Sequence, residues 1–404
     1  MNILFVHQNF PGQFKSLAPA LEARGHRVVA LGQNPDADIS GGIELHTYGL
    51  ERGQSPNIHP LAMEFEVKVI RAEAAARQAQ ALARTGFQPD VIIAHPGWGE
   101  ALYLKDVFPR ARLIAYAEFY YRATGQDWGF DPEFPRPDFD ARISLHTKNA
   151  NLCLAFESAD QCIAPTHWQA STHPDWVRAK LQVIHDGIDT DAIQPNPKAS
   201  MSIPSRKLQL GAGAELLTFV SRNLEPVRGY HRFIRALPEI LRRRPRALAV
   251  IVGGGGYAYG ARPGQGSYRQ RFLEEVQDQL DPARVIMIDR LPHKALITLF
   301  QISRCHVYLT YPFVLSWSML EAMSAGTLVV GSRTPPVEEV ISDGENGYLA
   351  DFFDTGELAD KVCDALASPH QQASLGQSAR RTISDRYDLR RCSLPALLRL
   401  IEQV

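Results

Sequence analysis

The sequence lacks a disulfide framework, a long apolar run and an excess of charge of either sign. Its five cysteines, Cys153, Cys162, Cys305, Cys363 and Cys392, are odd in number, scattered and free of any C-x-x-C pair. That usage predicts reduced thiols in a cytoplasm. No apolar run approaches the ~18 residues that span a bilayer. The start, MNILFVHQNF, has no basic n-region and only Ile3 to Val6 as an apolar run, so a first strand is expected there and not a signal peptide. A net charge of −1 gives no global field for nucleic acid, and no nucleic-acid partner is expected. Thirteen histidines include His167 and His173, but no H-x3-H spacing or carboxylate cluster accompanies them. Neither a metal nor another cofactor is expected. Internal repeats and low-complexity segments are also missing.

What is present is ordinary globular composition, 45% hydrophobic and 22% charged over 404 residues, which suggests two domains. In the first half, short apolar runs alternate with helical patterns. Strands are expected at Ile3 to Val6, Arg27 to Leu31, Asp90 to His95, Arg112 to Tyr116, Gln161 to Ala164 and Gln182 to His185. Helices are expected from Phe14 to Arg24, Pro60 to Arg84 and Ile143 to Ala159. Gly12 sits in the first strand-to-helix loop as a close-approach glycine. Gln194 to Gly213, rich in Pro, Ser and Lys, reads as a linker region. A second alternating series follows it. The spacing predicts an α/β fold of two Rossmann-like, doubly wound parallel sheets, with ligands at the carboxyl ends of the strands and a cleft between the halves as the default site.

The stretch His306 to Gly326 organises the second half. A β-branched and aromatic run ends at Pro312, and a helix is expected from Trp317 with Ser316 as its N-cap. Glu321 stands alone in the apolar run Met319 to Met323, where a carboxylate is costly unless paired or hydrogen-bonded. The alternative is a salt-bridged structural Glu. Gly253 to Ala258 formally fits G-x-G-x-x-A after a strand, but Pro263 and three glycines in Tyr257 to Ser267 prevent a helix from opening directly there. The aromatic loop Phe119 to Asp140 either stacks on a sugar or forms its own small core. Arg242, Arg243, Arg244 and Arg246 lie at a helix C-terminus, where the dipole favours cations. The competing reading is a membrane contact that places the protein peripherally at the inner membrane face.

These motifs resemble the retaining GT-B glycosyltransferases of family 4, the group 1 glycosyltransferases. Arg222 and Arg228-Gly229, in SRNLEPVRG, resemble the family's strand-end Arg and Lys-Gly pair. Glu321-Ala322-Met323-Ser324-Ala325-Gly326 resembles the end of its E-x7-E motif, and Asp343 to Gly347 its D-G-x-N-G turn. HDGID (His185 to Asp189) and HQNFPGQF…LEARGHRV are looser matches in the first half. The resemblance implies an N-terminal acceptor domain over 1–195, a nucleotide-sugar domain over 196–385, and a final helix, 386–404, returning to the first domain. It implies transfer from a UDP- or GDP-linked sugar to a carbohydrate, lipid-linked or protein-linked acceptor, in glycan, polysaccharide or glycoconjugate synthesis. Arg222 and Arg228 would neutralise the leaving diphosphate, a role that suits two fixed cations without a metal. Glu321 would hold the ribose, Leu291 would lie by the base, and the amides of Leu315 and Ser316, with Gly12, would position the sugar and pyrophosphate. Glu118, where the family often has a His, and His95 are the acceptor-side candidates.

One departure stands out. The first Glu of E-x7-E falls on Phe313, which leaves a donor-sugar contact missing or supplied by another group. Phe313 therefore favours a rival reading, a catalytically weak nucleotide-sugar-binding partner or sensor. A phosphorylase of the same fold would need a pyridoxal-phosphate lysine motif, which is not visible.

Overall fold

The computed structural model describes residues 1–134, 138–259, 262–367 and 369–403, and side chains at all of these except 205 and 369–372. The chain forms two compact units. The first comprises Met1–Thr124, Phe134–Gly187 and Arg390–Val404; the second comprises Gly125–Glu133 and Ile188–Leu389. Among the described residues, no helix is long and apolar enough to cross a membrane.

The first unit is built on seven parallel strands: β1 (Asn2–Val6), β2 (Arg27–Gly32), β3 (Glu44–Thr47), β4 (Val91–Ala94), β5 (Arg112–Tyr116), β6 (Gln161–Ala164) and β7 (Leu181–Val183). Their order is β3-β2-β1-β4-β5-β6-β7. Strand β1 is apolar from Ile3 to Val6 because successive side chains point to opposite faces and both faces are covered. Leu4 and Val6 pack with Ala72, Ala79 and Leu82 of the helix Met63–Arg84. Ile3 and Phe5 pack with Leu17 and Leu21 of the helix Leu17–Ala23, and with Leu397, Leu400 and Ile401 of the C-terminal helix Leu394–Glu402. Arg24 holds Glu402 by paired hydrogen bonds of 2.7 and 2.9 Å, and Arg112 donates to the Gln403 carbonyl at 2.7 Å. The last helix thus belongs to the first unit.

The second unit has six parallel strands: β10 (Leu216–Asn223), β11 (Leu248–Gly254), β12 (Val285–Ile288), β13 (Cys305–Tyr308), β14 (Leu328–Ser332) and β15 (Tyr348–Ala350). They run in the order β12-β11-β10-β13-β14-β15. A separate antiparallel pair, β8 (Ser200–Ile203) and β9 (Leu208–Gly211), precedes them. The expected linker over Gln194 to Gly213 is therefore partly this hairpin. Its alternation explains it: Met201, Ile203 and Leu210 are buried against Leu216 and Val250, while Ser200 and Ser202 face out.

Other differences have local causes. The helix expected over Ile143 to Ala159 is two helices, Phe139–Lys148 and Ala150–Ser158. Asn149 sits at the break, its amide accepting from Tyr121 N at 3.1 Å and donating to Tyr121 O at 2.8 Å, a contact from outside the helix. Strand β3, sequence ELHT, carries no apolar alternation and was not expected. The aromatic loop divides. Phe119 packs on Tyr121 and Trp168 in the first unit, whereas Phe130 packs on Tyr311, Phe352 and Phe353 in the second. Residues 135–137 of that loop lie outside the described residues.

Candidate active site

In the second unit, β10 ends at Ser221, Arg222 and Asn223 with a register shift, and Arg222 is exposed. A 3₁₀ turn, Pro226–Arg228, follows and ends on Gly229 at φ +67°. A Cβ on Gly229 would stand 2.3 Å from Leu309 Cβ, so only glycine lets the turn lie against the end of β13. Gly229→Ala is expected to lower stability by about 1–3 kcal/mol. An unchanged thermal midpoint would refute that packing.

That turn aims Arg228 at the β13 loop. Its Nη1 donates to Val314 O at 2.9 Å, Thr310 Oγ1 at 3.2 Å and Tyr308 Oη at 3.4 Å. Among the described residues, its Nε and Nη2 have no hydrogen-bond partner, so donors remain for an anion. The guanidinium also lies over the rings of Tyr259, at 5.3 Å, and Phe313, at 5.6 Å, and those rings are 4.9 Å apart. Phe313 is buried. Glu225, 1% exposed, accepts from the amides of Ala258 and Tyr259 at 2.9 and 3.0 Å and so holds Tyr259 in place. Burial pushes the Glu225 carboxyl up, against those two amides and the nearby Arg228 and Arg222.

Ser316 caps the helix Trp317–Ser324, its hydroxyl accepting from Ser318 N. Its own amide donates to Tyr308 Oη at 2.8 Å. This corrects the expectation that the Ser316 amide is open to a sugar, since a buried tyrosine already uses it. The Leu315 amide has no protein partner among the described residues. Glu321 is buried, and its Oε1 meets His293 Nε2 at 2.8 Å. Its Oε2 has no protein partner among the described residues, so one oxygen remains available to ligand hydroxyls. His293 begins the helix His293–Ile302 directly after Leu291 and Pro292, so it links the β12 end, where Leu291 packs on the core, to Glu321.

In the first unit, three adjacent strands end in polar side chains at one edge: His7 after β1, His95 after β4 and Glu118 after β5. His7 Nε2 meets Gln13 Oε1 at 2.8 Å, and its Nδ1 accepts from Asn9 N at 3.0 Å. That acceptor role leaves the proton on Nε2. Gln13 Nε2 donates to Glu118 Oε1 at 3.2 Å. His95 Nδ1 accepts from Gly97 N at 3.1 Å, which puts its proton on Nε2, 3.7 Å from Glu118 Oε2. His95 stacks on Tyr116 and lies against Trp98. Burial, then His95, pushes His7 down to about 3. Burial would raise the Glu118 carboxyl, but His95 and Gln13 outweigh it and hold it below its ordinary value. Glu118 is therefore an ionised acceptor at neutral pH, hydrogen-bonded by Gln13 and with the His95 Nε2 3.7 Å away. Gly12, at φ +49°, is a close approach, but to His7: its Cβ would lie 2.4 Å from the imidazole Cε1.

Comparisons with known proteins match each half of the chain to a family. Residues 24–193 match the glycosyl transferase family 4 group, and residues 205–382 match glycosyl transferases group 1. The chain belongs to the GT-B glycosyltransferases of family 4, group 1. One curated relative is a GDP-mannose-dependent alpha-(1-6)-phosphatidylinositol monomannoside mannosyltransferase of Mycolicibacterium smegmatis, 30% identical over 52% of this chain and 54% of that one. Another is a D-inositol 3-phosphate glycosyltransferase of Corynebacterium efficiens, 27% identical over 51% of this chain and 47% of that one. These matches span about half the length of the relatives. Among solved structures, sucrose-phosphate synthase from Thermosynechococcus elongatus aligns over 99% of this chain and 98% of its own, with a TM-score of 0.75 and 19% identity. Anabaena HepE in complex with UDP-glucose aligns over 100% of both, with a TM-score of 0.65 and 18% identity. Both show the GT-B fold.

Within this chain the second unit brings Arg228 and Ser316 to Tyr308, sets Arg228 over Phe313, and joins Glu321 to the Leu291 end through His293. The first unit joins Glu118 and His95. Sequence reasoning passed over His7, Gln13, Glu225, Tyr259, Tyr308 and His293. Only Glu225 left a signal, as a lone carboxylate between two arginines in SRNLEPVRG. Among the described residues, one grouping has metal-ligand spacing, Asp131, Glu133 and His231, and arginines already occupy both its carboxylates. The arginines proposed for a membrane contact each have a carboxylate partner: Arg242 pairs with Glu239, Arg243 with Asp360, and Arg244 and Arg246 with Glu215. These pairs leave the run little free positive charge for anionic headgroups.

Proposed function

We propose that this chain transfers a sugar from a UDP- or GDP-linked donor to an acceptor hydroxyl, with retention of anomeric configuration and without a metal. The observation that carries the reading is Arg228. It is fixed by three oxygens of the β13 loop yet keeps two nitrogens for a diphosphate, with Arg222 exposed at the end of β10. As the sugar C1–O bond to the diphosphate breaks, charge grows on phosphate oxygens, and preorganised cations stabilise it without reorganising. The Leu315 amide faces the sugar, and Glu321, oriented by His293, accepts ribose hydroxyls. On the acceptor side, Glu118 receives the hydroxyl whose oxygen forms the new bond to C1, and the proton leaves to Glu118 or to the departing diphosphate. His95 and Gln13 hold the carboxylate ionised for this. On this reading the product belongs to glycan, polysaccharide or glycoconjugate synthesis, in the cytoplasm.

Phe313 supports a second reading, a protein that binds nucleotide sugars with little turnover. A turnover assay over a panel of UDP- and GDP-sugars separates the two. Nucleotide release that rises with acceptor supports the transferase; tight binding with no release at any acceptor overturns it.

A further inference from the structure

The end of β11 and the loop after it carry four successive glycines, Gly253 to Gly256, and lead to Tyr259. Such a run loses much backbone entropy when it is ordered. It is nevertheless fastened at both ends. At its start, a Cβ on Gly253 would stand 2.8 Å from Leu224 Cδ2, and Gly254 O accepts from Leu224 N at 3.0 Å. At its far end, Glu225 Oε2 takes the successive amides of Ala258 and Tyr259 at 2.9 and 3.0 Å. The other oxygen, Glu225 Oε1, is buried with no protein partner. A buried carboxylate with one oxygen unmatched is itself costly. Two unfavourable features thus combine to one result, a fixed position for Tyr259.

Tyr259 is half-buried. Its ring centre lies 4.9 Å from that of Phe313 and 5.3 Å from the Arg228 guanidinium. Its hydroxyl has no hydrogen-bond partner among the described residues, although a tyrosine packed in this way usually finds one. Burial pushes the Tyr308 phenol up against Arg228, and Tyr259 lies near enough to add to the rise. The open hydroxyl therefore belongs to the group of Arg228, Tyr308 and Phe313. The chemistry offered by that group is uneven. The Nε and Nη2 of Arg228 suit a diphosphate. The Phe313 ring offers a sugar no polar atom. A phenol hydroxyl both donates and accepts, which suits a sugar hydroxyl.

We propose that Tyr259 contacts the transferred sugar of the donor through its hydroxyl, and that Glu225 is the positioning residue that holds it there. The proposal rests on the transferase reading, which sets the diphosphate at Arg228. Glu225 does not touch the donor; it acts through the Ala258 and Tyr259 amides. The guanidinium over the Tyr259 and Phe313 rings adds a cation–π contact, so the phenol keeps one orientation beside the diphosphate. What Glu225 supplies is an oxygen that accepts two amides, and a neutral oxygen in its place can do the same.

Calorimetric titration of the full chain tests this with UDP-glucose, UDP-N-acetylglucosamine and GDP-mannose, each beside its free diphosphate, UDP or GDP. Tyr259→Phe removes only the hydroxyl. For the tightest-binding nucleotide sugar it is expected to weaken affinity about three- to tenfold, the loss of one hydrogen bond, and to leave the free diphosphate unchanged. Glu225→Ala is expected to lose at least as much on the nucleotide sugar. Glu225→Gln, which keeps an oxygen for the two amides, is expected to recover most of it. Thermal midpoints without ligand show which variants fold, and Tyr259→Phe decides the matter if Glu225→Ala does not. No weakening by Tyr259→Phe, or equal weakening of nucleotide sugar and free diphosphate, overturns the sugar contact. A folded Glu225→Ala chain with parental affinity overturns the positioning role. In both cases the parental chain still binds nucleotide sugar and the transferase reading stands. A parental chain that binds none of the three sugars strikes that reading and this proposal together.

Discussion

Arg228→Ala is expected to lower kcat/KM for sugar transfer by roughly 10²–10³, the range seen when one preorganised donor to a developing oxyanion is removed. The effect should fall on kcat, because the charge it meets grows during bond cleavage. Nucleotide affinity should drop much less, since the proposed donor site holds the ribose separately, at Glu321 and its partner His293. Arg228 also ties down the Val314 carbonyl, so its removal frees that loop as well as removing the charge. Arg228→Lys separates the two. A lysine keeps the charge but has a single nitrogen in place of the planar fork whose Nη1 holds the loop while Nε and Nη2 face a phosphate, so it should recover only a fraction of the rate. Transfer at the parental rate by Arg228→Ala would place the diphosphate elsewhere.

Asp131→Ala is expected to destabilise the second unit by about 3 kcal/mol, through the cost of leaving buried cationic and polar partners uncompensated. Asp131 is buried and accepts from His231 Nε2 at 2.7 Å, Arg232 Nη2 at 2.8 Å and Tyr311 Oη at 3.2 Å. It is the anchor of Gly125–Glu133, a segment flanked in sequence by residues of the first unit. Glu133 adds a two-point pair to Arg235 at 2.6 and 2.7 Å, and Phe130 adds its ring contacts. For a unit of this size the loss corresponds to roughly 6–12 °C in the thermal midpoint. Asp131→Asn should cost less, because an amide oxygen still accepts from His231.

The same carboxylate sets a pH dependence. Burial would raise its pKa, but His231, the Glu133 amide and Arg232 together lower it to about 2. A folded value below the unfolded one means that the stabilisation is fully present above the ordinary carboxylate range. It is lost as pH falls from there through about 2. Asp131→Asn should flatten the acid limb of stability. An unchanged acid limb would mean that this carboxylate is not held down.

Much of the frame was legible in the sequence, because alternating strands and helices are local patterns. The β1 and β5 runs, the Ser316 cap and the lone Glu321 each announce themselves within one or two turns of chain. The family motifs are equally local, which is why Arg222, Arg228 and Glu321 could be singled out. Tertiary structure decided what fills the space around them. His7, Gln13, His95 and Glu118 come from three strands separated by long stretches of sequence, and only the order β1-β4-β5 makes them neighbours. Phe313 reads as a missing carboxylate in sequence; in the fold it is a buried ring shared by Arg228 and Tyr259, with Tyr259 fixed by Glu225. The Ser316 amide reads as free until Tyr308 reaches it from the strand. Sequence periodicity reports which face of an element is buried, whereas partners across a sheet edge are set by strand order and loop packing.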